Sequence, residues 1–340
     1  MTWRIAINGY GRIGQSVLRA LYESDYRDDM QIVAINELSD IDTIAYLTRY
    51  DTTHGRFPYA IDVCGESQLR VAEDSISIYR HEQLASLPWS QDQVDLVLEC
   101  TGVHKTRLSA KAHIETGAKR VLFSHPAEVD VDKTIVYGVN HESLTANDSI
   151  VSNASCTTNA IVPVLDVLNR AFSIEQGTLT TIHSVMNDQP TIDAYHHQDL
   201  RRTRSAMQNI VPVETALAKG VERLLPELEG KLTAVAIRVP TINVSAIDLT
   251  VYVSKSVTDE EVNRVLREAS QQGYFGVLSY TQEPLASSDF NHDPHSCVVD
   301  GSQTRVSGGR LIKVLTWFDN EWAFANRMLD VSRYWLSLPK

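Results

Sequence analysis

Apolar residues in the first half of the chain fall in short blocks separated by stretches of helical spacing. Trp3 to Asn8 reads as a strand, and the stretch after it runs to Tyr22 with Ile13, Val17, Leu18 and Leu21 on one helical face. Ile32-Val33-Ala34-Ile35 is the next block, ending at Asn36-Glu37. Val94 to Leu98, Val121 to Phe123 and Ile150 to Ser152 follow, with a helix-compatible segment over Arg107 to Thr116. This alternation predicts an α/β, doubly wound, mostly parallel sheet with helices on both faces.

Beyond residue 155 the texture changes. Thr157 to Phe172 predicts a helix. Longer strand patterns then cover Thr178 to Ser184, Thr233 to Arg238, Val244 to Val253 and Leu311 to Trp317, interrupted by a helical pattern over Val257 to Ala269. An α+β domain with a mainly antiparallel sheet is expected. Asn320 to Leu336 reads as a last helix, with Phe324, Met328, Val331 and Trp335 on one face. The division is 1–155, 156–319 and 320–340.

Composition narrows the class. The 340 residues, 43% hydrophobic and 22% charged, are enough for two cores. A net charge of −12 argues against nucleic acid or anionic membrane as partner. No apolar run approaches the ~18 residues of a membrane span, and Met1-Thr2-Trp3-Arg4-Ile5 enters a strand without the features of a signal peptide. Cys64, Cys100, Cys156 and Cys297 are dispersed, so a reduced, cytoplasmic setting is expected. Arg201-Arg202-Thr203-Arg204, on so acidic a chain, reads as a substrate-side or subunit-facing loop. Pro294 breaks any helical ligand spacing in His292-Asp293-Pro294-His295, so no metal site is expected. His196-His197 reads as a solvated loop, and Trp322, Phe324 and Trp335 as packing residues.

Two segments carry chemistry. Gly9-Tyr10-Gly11-Arg12-Ile13-Gly14 follows a strand and opens a helix, the context in which a glycine-rich turn cradles a pyrophosphate. Gly9 permits the tight turn, Gly11 lets backbone amides approach the anion, and Gly14 brings helix and strand together. Glu37, ending the next strand, is placed to accept the adenosine ribose hydroxyls. Its charge disfavours a 2′-phosphate by a few kcal/mol at ~4 Å and an effective dielectric near ~20, so NAD is expected over NADP.

The second segment is Ser155-Cys156-Thr157-Thr158-Asn159, between a strand-like run and a helix. A helix starting near Thr157 would turn its positive end toward the Cys156 sulfur and favour the thiolate. His183, in Thr180-Thr181-Ile182-His183-Ser184, is the candidate partner, as an ion pair or a general base. Spacing alone favours the plainer alternative, a small buried cysteine and a satisfied strand-end histidine.

Four segments together resemble the glyceraldehyde-3-phosphate dehydrogenase family: Asn8 to Gly14, Ser155 to Asn159, Arg238-Val239-Pro240-Thr241 and Trp317-Phe318-Asp319-Asn320-Glu321. Within it the chain is most similar to the branch acting on D-erythrose 4-phosphate. That closer likeness rests on Tyr50 to Phe57, Leu200 to Arg204, Asn291 to His295 and Gln303 to Gly308. The resemblance implies a Rossmann-type NAD-binding domain, a catalytic domain, and a C-terminal helix that returns to the first domain. It also implies a homotetramer acting on a sugar-phosphate aldehyde.

Residue by residue, the resemblance implies that Cys156 attacks the aldehyde with His183 as base. Arg12, Ile13, Thr101, Ser124 and Asn320 join the glycines and Glu37 as cofactor residues. Ser155, Thr157, Asp188, Arg202, Thr215, Ala216 and Arg238 fall on the substrate side. The chain departs from the phosphorylating members at Val185 and Met186, where they place a tyrosine and a threonine, at Ala216 in place of glycine, and at Ala160 in place of a second cysteine. The anion sites are thinned, which suits a longer sugar phosphate and release of the thioester by water. The expected product is 4-phospho-D-erythronate, on a route to pyridoxal 5′-phosphate. The rivals are a phosphorylating glycolytic dehydrogenase and a noncatalytic NAD-binding scaffold.

Overall fold

A computed structural model describes residues 2–195 and 199–339; His196-His197 lies outside the described residues. The chain divides into two compact units, Met1–Ser155 with Phe324–Lys340, and Cys156–Ala323.

The first unit is built on a nine-stranded sheet. From one edge the order is Lys133–Thr134, Ile150–Ser152, Arg120–Phe123, Leu96–Glu99, Trp3–Asn8, Met30–Asn36 and Asp74–Tyr79, all parallel. Leu96–Glu99, Arg120–Phe123 and Ile150–Ser152 are buried at every position, as parallel strands covered on both faces are. Helices Arg12–Tyr22, Ile41–Arg49 and Arg107–Glu115 serve the unit. At the far edge, Gln68–Val71 and Ile61–Val63 pair antiparallel. The apolar blocks did not announce these edge strands. Gln68–Val71 buries only Leu69 and Val71, an alternation too short to stand out.

The C-terminal helix Trp322–Ser337 packs on this unit over its last turns. Arg120 donates to the Trp335 carbonyl at 2.6 Å and lies over the Trp335 ring, and Tyr26 donates to Asp330. The helix begins at Trp322, two residues after the pattern placed it. The physical reason is a cap: Asp319 accepts from the N–H groups of Glu321 and Trp322 at 2.9 and 2.8 Å.

The second unit holds a seven-stranded sheet: Val211–Val213, Leu232–Arg238, Ile174–His183, Ser245–Val253, Leu311–Phe318, Cys297–Ser307 and Leu278–Thr281. Four neighbouring pairs are antiparallel and two are parallel. Helix Cys156–Phe172 packs against Asp259–Gln271. The latter starts after Thr258, where a reciprocal Thr258–Glu261 cap overrides the apolar pattern from Val257. One parallel pairing matters for the site. It sets His183 opposite Arg238 at the C-terminal ends of their strands.

No helix among the described residues is long and apolar enough to cross a membrane.

Candidate active site

In the first unit, a cleft of about 560 Å³ opens at the C-terminal ends of the central strands, lined among others by Gly9, Gly11, Glu37 and Thr101. The three glycines have separable jobs. Gly9 has φ +88°, and a Cβ there would lie 2.7 Å from the Thr101 backbone nitrogen. A Cβ on Gly14 would meet the Gly9 carbonyl oxygen at 2.5 Å, so helix Arg12–Tyr22 can approach the turn only as glycine. A Cβ on Gly11 would meet nothing within 4 Å. The protein's own packing does not require Gly11, which borders the open cleft.

Glu37 is held by backbone. The Tyr10 N–H donates to Oε2 at 2.8 Å and the Leu38 N–H to Oε1 at 2.7 Å. The carboxylate therefore stands in the cleft with capacity left for ribose hydroxyls. Arg12 pairs with Asp51, which its guanidinium holds well below the usual carboxylate range against the opposing effect of burial. Ile13 is half-buried at the helix start. Ser124 follows strand Arg120–Phe123 and donates its N–H to the Glu99 carbonyl at 3.0 Å. Arg12, Ile13, Gly14 and Ser124 are not among the residues that line the cleft.

The first unit ends just after Ala154, left-handed at φ +56°, and the second opens with helix Cys156–Phe172, whose first residue is the candidate nucleophile. Such strain in a non-glycine residue is typical of functional turns. The Cys156 Sγ lies 3.8 Å from His183 Nε2. The tautomer follows from chemistry. His183 Nδ1 is 2.8 Å from the Ser184 carbonyl, which can only accept, so Nδ1 carries the proton and Nε2 presents its lone pair to the sulfur.

Opposing influences act on the Cys156 thiol. Burial pushes the Cys156 thiol up to about 11, although the N–H groups of Thr157 and Cys156 at the helix start pull it down. Asp319 and Glu321 raise it further. Burial also lowers His183, and Arg238 adds to that effect. With its Nε2 lone pair toward the sulfur, His183 is placed to take the thiol proton.

Around this pair, strand ends gather polar groups. Asn320 Oδ1 accepts from the hydroxyls of Ser184 and Ser245, both at 2.9 Å, and Ser245 Oγ accepts the Ser184 N–H at 3.0 Å. With its carbonyl so engaged, Asn320 keeps its amide N–H groups for a ligand. Asp319 anchors that turn from below, accepting from Asn243 and from the His292 N–H, each at 2.8 Å.

Arg238 forks onto Asp188, at 2.5 Å from Oδ1 and 3.2 Å from Oδ2, and Arg202 reaches the same carboxylate at 3.1 Å. Burial opposes the charge on Asp188, but the hydrogen bond and charge of Arg238, with Arg202, hold its carboxyl below the ordinary value. Gln189 accepts from Arg238 at 3.1 Å, and the Met186 sulfur lies 3.4 Å from it. Ser155 and Thr157 flank the nucleophile and are half-buried. Thr215 and Ala216 precede helix Leu217–Leu224, which lies close enough to the nucleophile's helix for a Cβ on Gly220 to meet Thr158 Oγ1 at 3.3 Å.

Sequence reasoning missed Glu99, Asn8, Asn36, Ser184, Ser245 and Gln189. For all but Gln189, which lies in a loop, the one signal is a polar residue at the end of an apolar strand block. Residues 3–107 match the family model for the glyceraldehyde 3-phosphate dehydrogenase NAD binding domain, and residues 155–320 match that for the glyceraldehyde 3-phosphate dehydrogenase C-terminal domain.

Proposed function

The chain belongs to the glyceraldehyde-3-phosphate dehydrogenase family and is an NAD-dependent aldehyde dehydrogenase; on that premise we propose that it oxidises D-erythrose 4-phosphate to 4-phospho-D-erythronate. The observation that carries this reading is the Cys156–His183 pair, 3.8 Å apart, with the base lone pair aimed at the sulfur. As Sγ bonds to the aldehyde carbon, His183 Nε2 takes the thiol proton, and the carbonyl oxygen gains a proton to complete a thiohemiacetal. Bound NAD would supply the hydride acceptor, and His183 Nε2 would take the thiohemiacetal hydroxyl proton and pass it to solvent, so that a thioester is left on Cys156. Water then attacks the thioester with His183 as base, releasing the acid and restoring the thiol. The sum is aldehyde, NAD⁺ and water going to carboxylate, NADH and two protons.

The substrate phosphate falls to Arg238 and Arg202, whose forks suit a tetrahedral oxyanion. Thr215 beside exposed Ala216, and Met186 where a hydroxyl would serve an anion, support water over inorganic phosphate as the acyl acceptor. The route to pyridoxal 5′-phosphate, a cytoplasmic setting and a homotetramer belong to the same proposal. The test compares kcat/KM for erythrose 4-phosphate and glyceraldehyde 3-phosphate, with and without added phosphate. A higher value for the four-carbon aldehyde and a phosphate-independent rate support the reading. Strong dependence on phosphate, with preference for the three-carbon aldehyde, would favour the glycolytic phosphorylating reaction instead.

A further inference from the structure

Beneath the cofactor cleft lies a charge that the reaction above does not use. Glu99 ends strand Leu96–Glu99 and is fully buried. Its Oε2 accepts from Asn8 Nδ2 at 2.6 Å and from His113 Nε2 at 3.1 Å, and its Oε1 accepts from the Thr101 N–H at 2.8 Å and from the Thr101 hydroxyl. The His113 tautomer is fixed by its other neighbour. Trp89 Nε1, which can only donate, lies 2.9 Å from His113 Nδ1. Nδ1 therefore accepts, Nε2 carries the proton, and the imidazole is neutral.

All four donors to Glu99 are thus uncharged, and among the described residues no lysine or arginine pairs with it. Burial opposes ionisation, but the bonds from His113, Thr101 and Asn8 hold the carboxyl below its ordinary value. The strand end carries a full negative charge with hydrogen bonds but no counter-charge. Buried charges are ordinarily paired, and Thr101, which donates to Glu99, lines the cleft in which a cationic ligand would supply the missing counter-charge.

The direction is set by the fold. A dinucleotide lies across the C-terminal ends of such strands, with its pyrophosphate at the start of helix Arg12–Tyr22 and its adenosine ribose at the acidic residue of the second strand, Glu37. The nicotinamide half then lies over Leu96–Glu99 and its neighbour Arg120–Phe123, and Thr101, held by Glu99, lines that cleft. The oxidised ring is a cation and the reduced ring is neutral, while the rest of the molecule is the same.

We propose that Glu99 makes the cleft discriminate between the redox states of the cofactor, favouring the oxidised, cationic form. The inference rests on Glu37 marking the adenosine end. A fixed charge on the order of 10 Å from the ring at an effective dielectric near ~20 is worth on the order of tenfold in affinity. This bias favours binding of the hydride acceptor and departure of the reduced product.

The test titrates wild type and Glu99→Gln with NAD⁺, NADH and ADP-ribose, the last serving as a reference that lacks the ring. In the variant, NAD⁺ weakens about tenfold relative to NADH, while NADH keeps its ratio to ADP-ribose. An equal change for all three ligands overturns the proposal, because it marks Glu99 as an architectural acceptor only. Should the variant fail to fold, as a thermal melt reports, the wild type decides. NADH binding as tightly as NAD⁺ or more tightly overturns the proposal. Wild-type protein that binds ADP-ribose but neither nicotinamide form more tightly overturns the placement of the ring, a failure distinct from that of the charge.

Discussion

The cofactor cleft and the catalytic half are built from different materials. In the first unit the main chain makes the site. Gly9 supplies a left-handed turn, Gly14 a contact no Cβ could tolerate, Gly11 an opening, and even Glu37 is fixed by backbone N–H groups. In the second unit side chains make it. His183, Arg238, Ser245 and Asn320 come from strand ends far apart in sequence, and Cys156 from a helix start. A backbone-built site depends on where side chains are missing; a side-chain-built site depends on which atoms each one carries. Substitutions should therefore break the two regions in opposite ways.

The largest expected effect lies in the second unit. Cys156→Ser keeps the shape but loses the nucleophile, so turnover should fall by at least about 10³-fold while NAD binding, measured by fluorescence titration, is retained. His183→Asn should cost about 10²- to 10⁴-fold in kcat. The pH profile separates its role from a structural one. Burial lowers His183, so it stays an unprotonated base to below its usual range. In the wild type, kcat/KM should hold near neutrality and fall only as pH drops through that lowered value; in His183→Asn this acid limb should vanish. Alkylation of Cys156 by iodoacetamide in the free enzyme should climb with pH toward about 11, with no plateau below neutrality. A thiolate-like plateau at pH 6 would show that the resting pair is ionised.

The glycines break in the other sense, and by less. Gly14→Ala forces a Cβ to 2.5 Å from the Gly9 carbonyl and should cost about 1–3 kcal/mol of stability, read by urea unfolding of the intact chain. Gly11→Val meets open space, so stability should stay within about 0.5 kcal/mol, while NAD affinity falls steeply because the side chain fills the phosphate's place. If the two variants lose stability equally, Gly11 is a packing residue and the cleft does not hold the pyrophosphate there.

This division also explains what the sequence disclosed. Glycine spacing after a strand is a local signal, so the turn, its helix and Glu37 were readable from the residues alone. The pairing of Cys156 with His183 was not. It depends on strand register and on a Ser184 carbonyl, and only resemblance to a family pointed to it. The setting of the thiol was only half legible for the same reason: a helix start is visible in sequence, whereas the burial that opposes it is a property of packing. Glu99 looked like the polar end of an apolar block because its four donors come from Asn8, Thr101 and His113, which no periodicity connects. The short edge strand Gln68–Val71 was hidden by its length, and the late start of Asp259–Gln271 by a cap stronger than the apolar pattern.

The smallest effect tests the chemistry of one side chain in the side-chain-built half. Met186 rests its sulfur 3.4 Å from Arg238 and is 46% exposed, so it occupies the rim of the arginine pair without contributing a donor. A thioether is a weak acceptor beside a cation and offers nothing to an incoming phosphate oxygen. Met186→Thr replaces it with a hydroxyl on a shorter stem, leaving Arg238 and Asp188 in place. One added hydrogen bond is worth about 0.5–1.5 kcal/mol, so KM for the sugar phosphate should fall by about two- to tenfold with kcat little changed. If thinning of this site is what excludes inorganic phosphate, the same variant should also gain a measurable acceleration by added phosphate. A lower KM without that acceleration would confine Met186 to substrate affinity and leave the choice of acyl acceptor with Ala216 and the far side of the nucleophile.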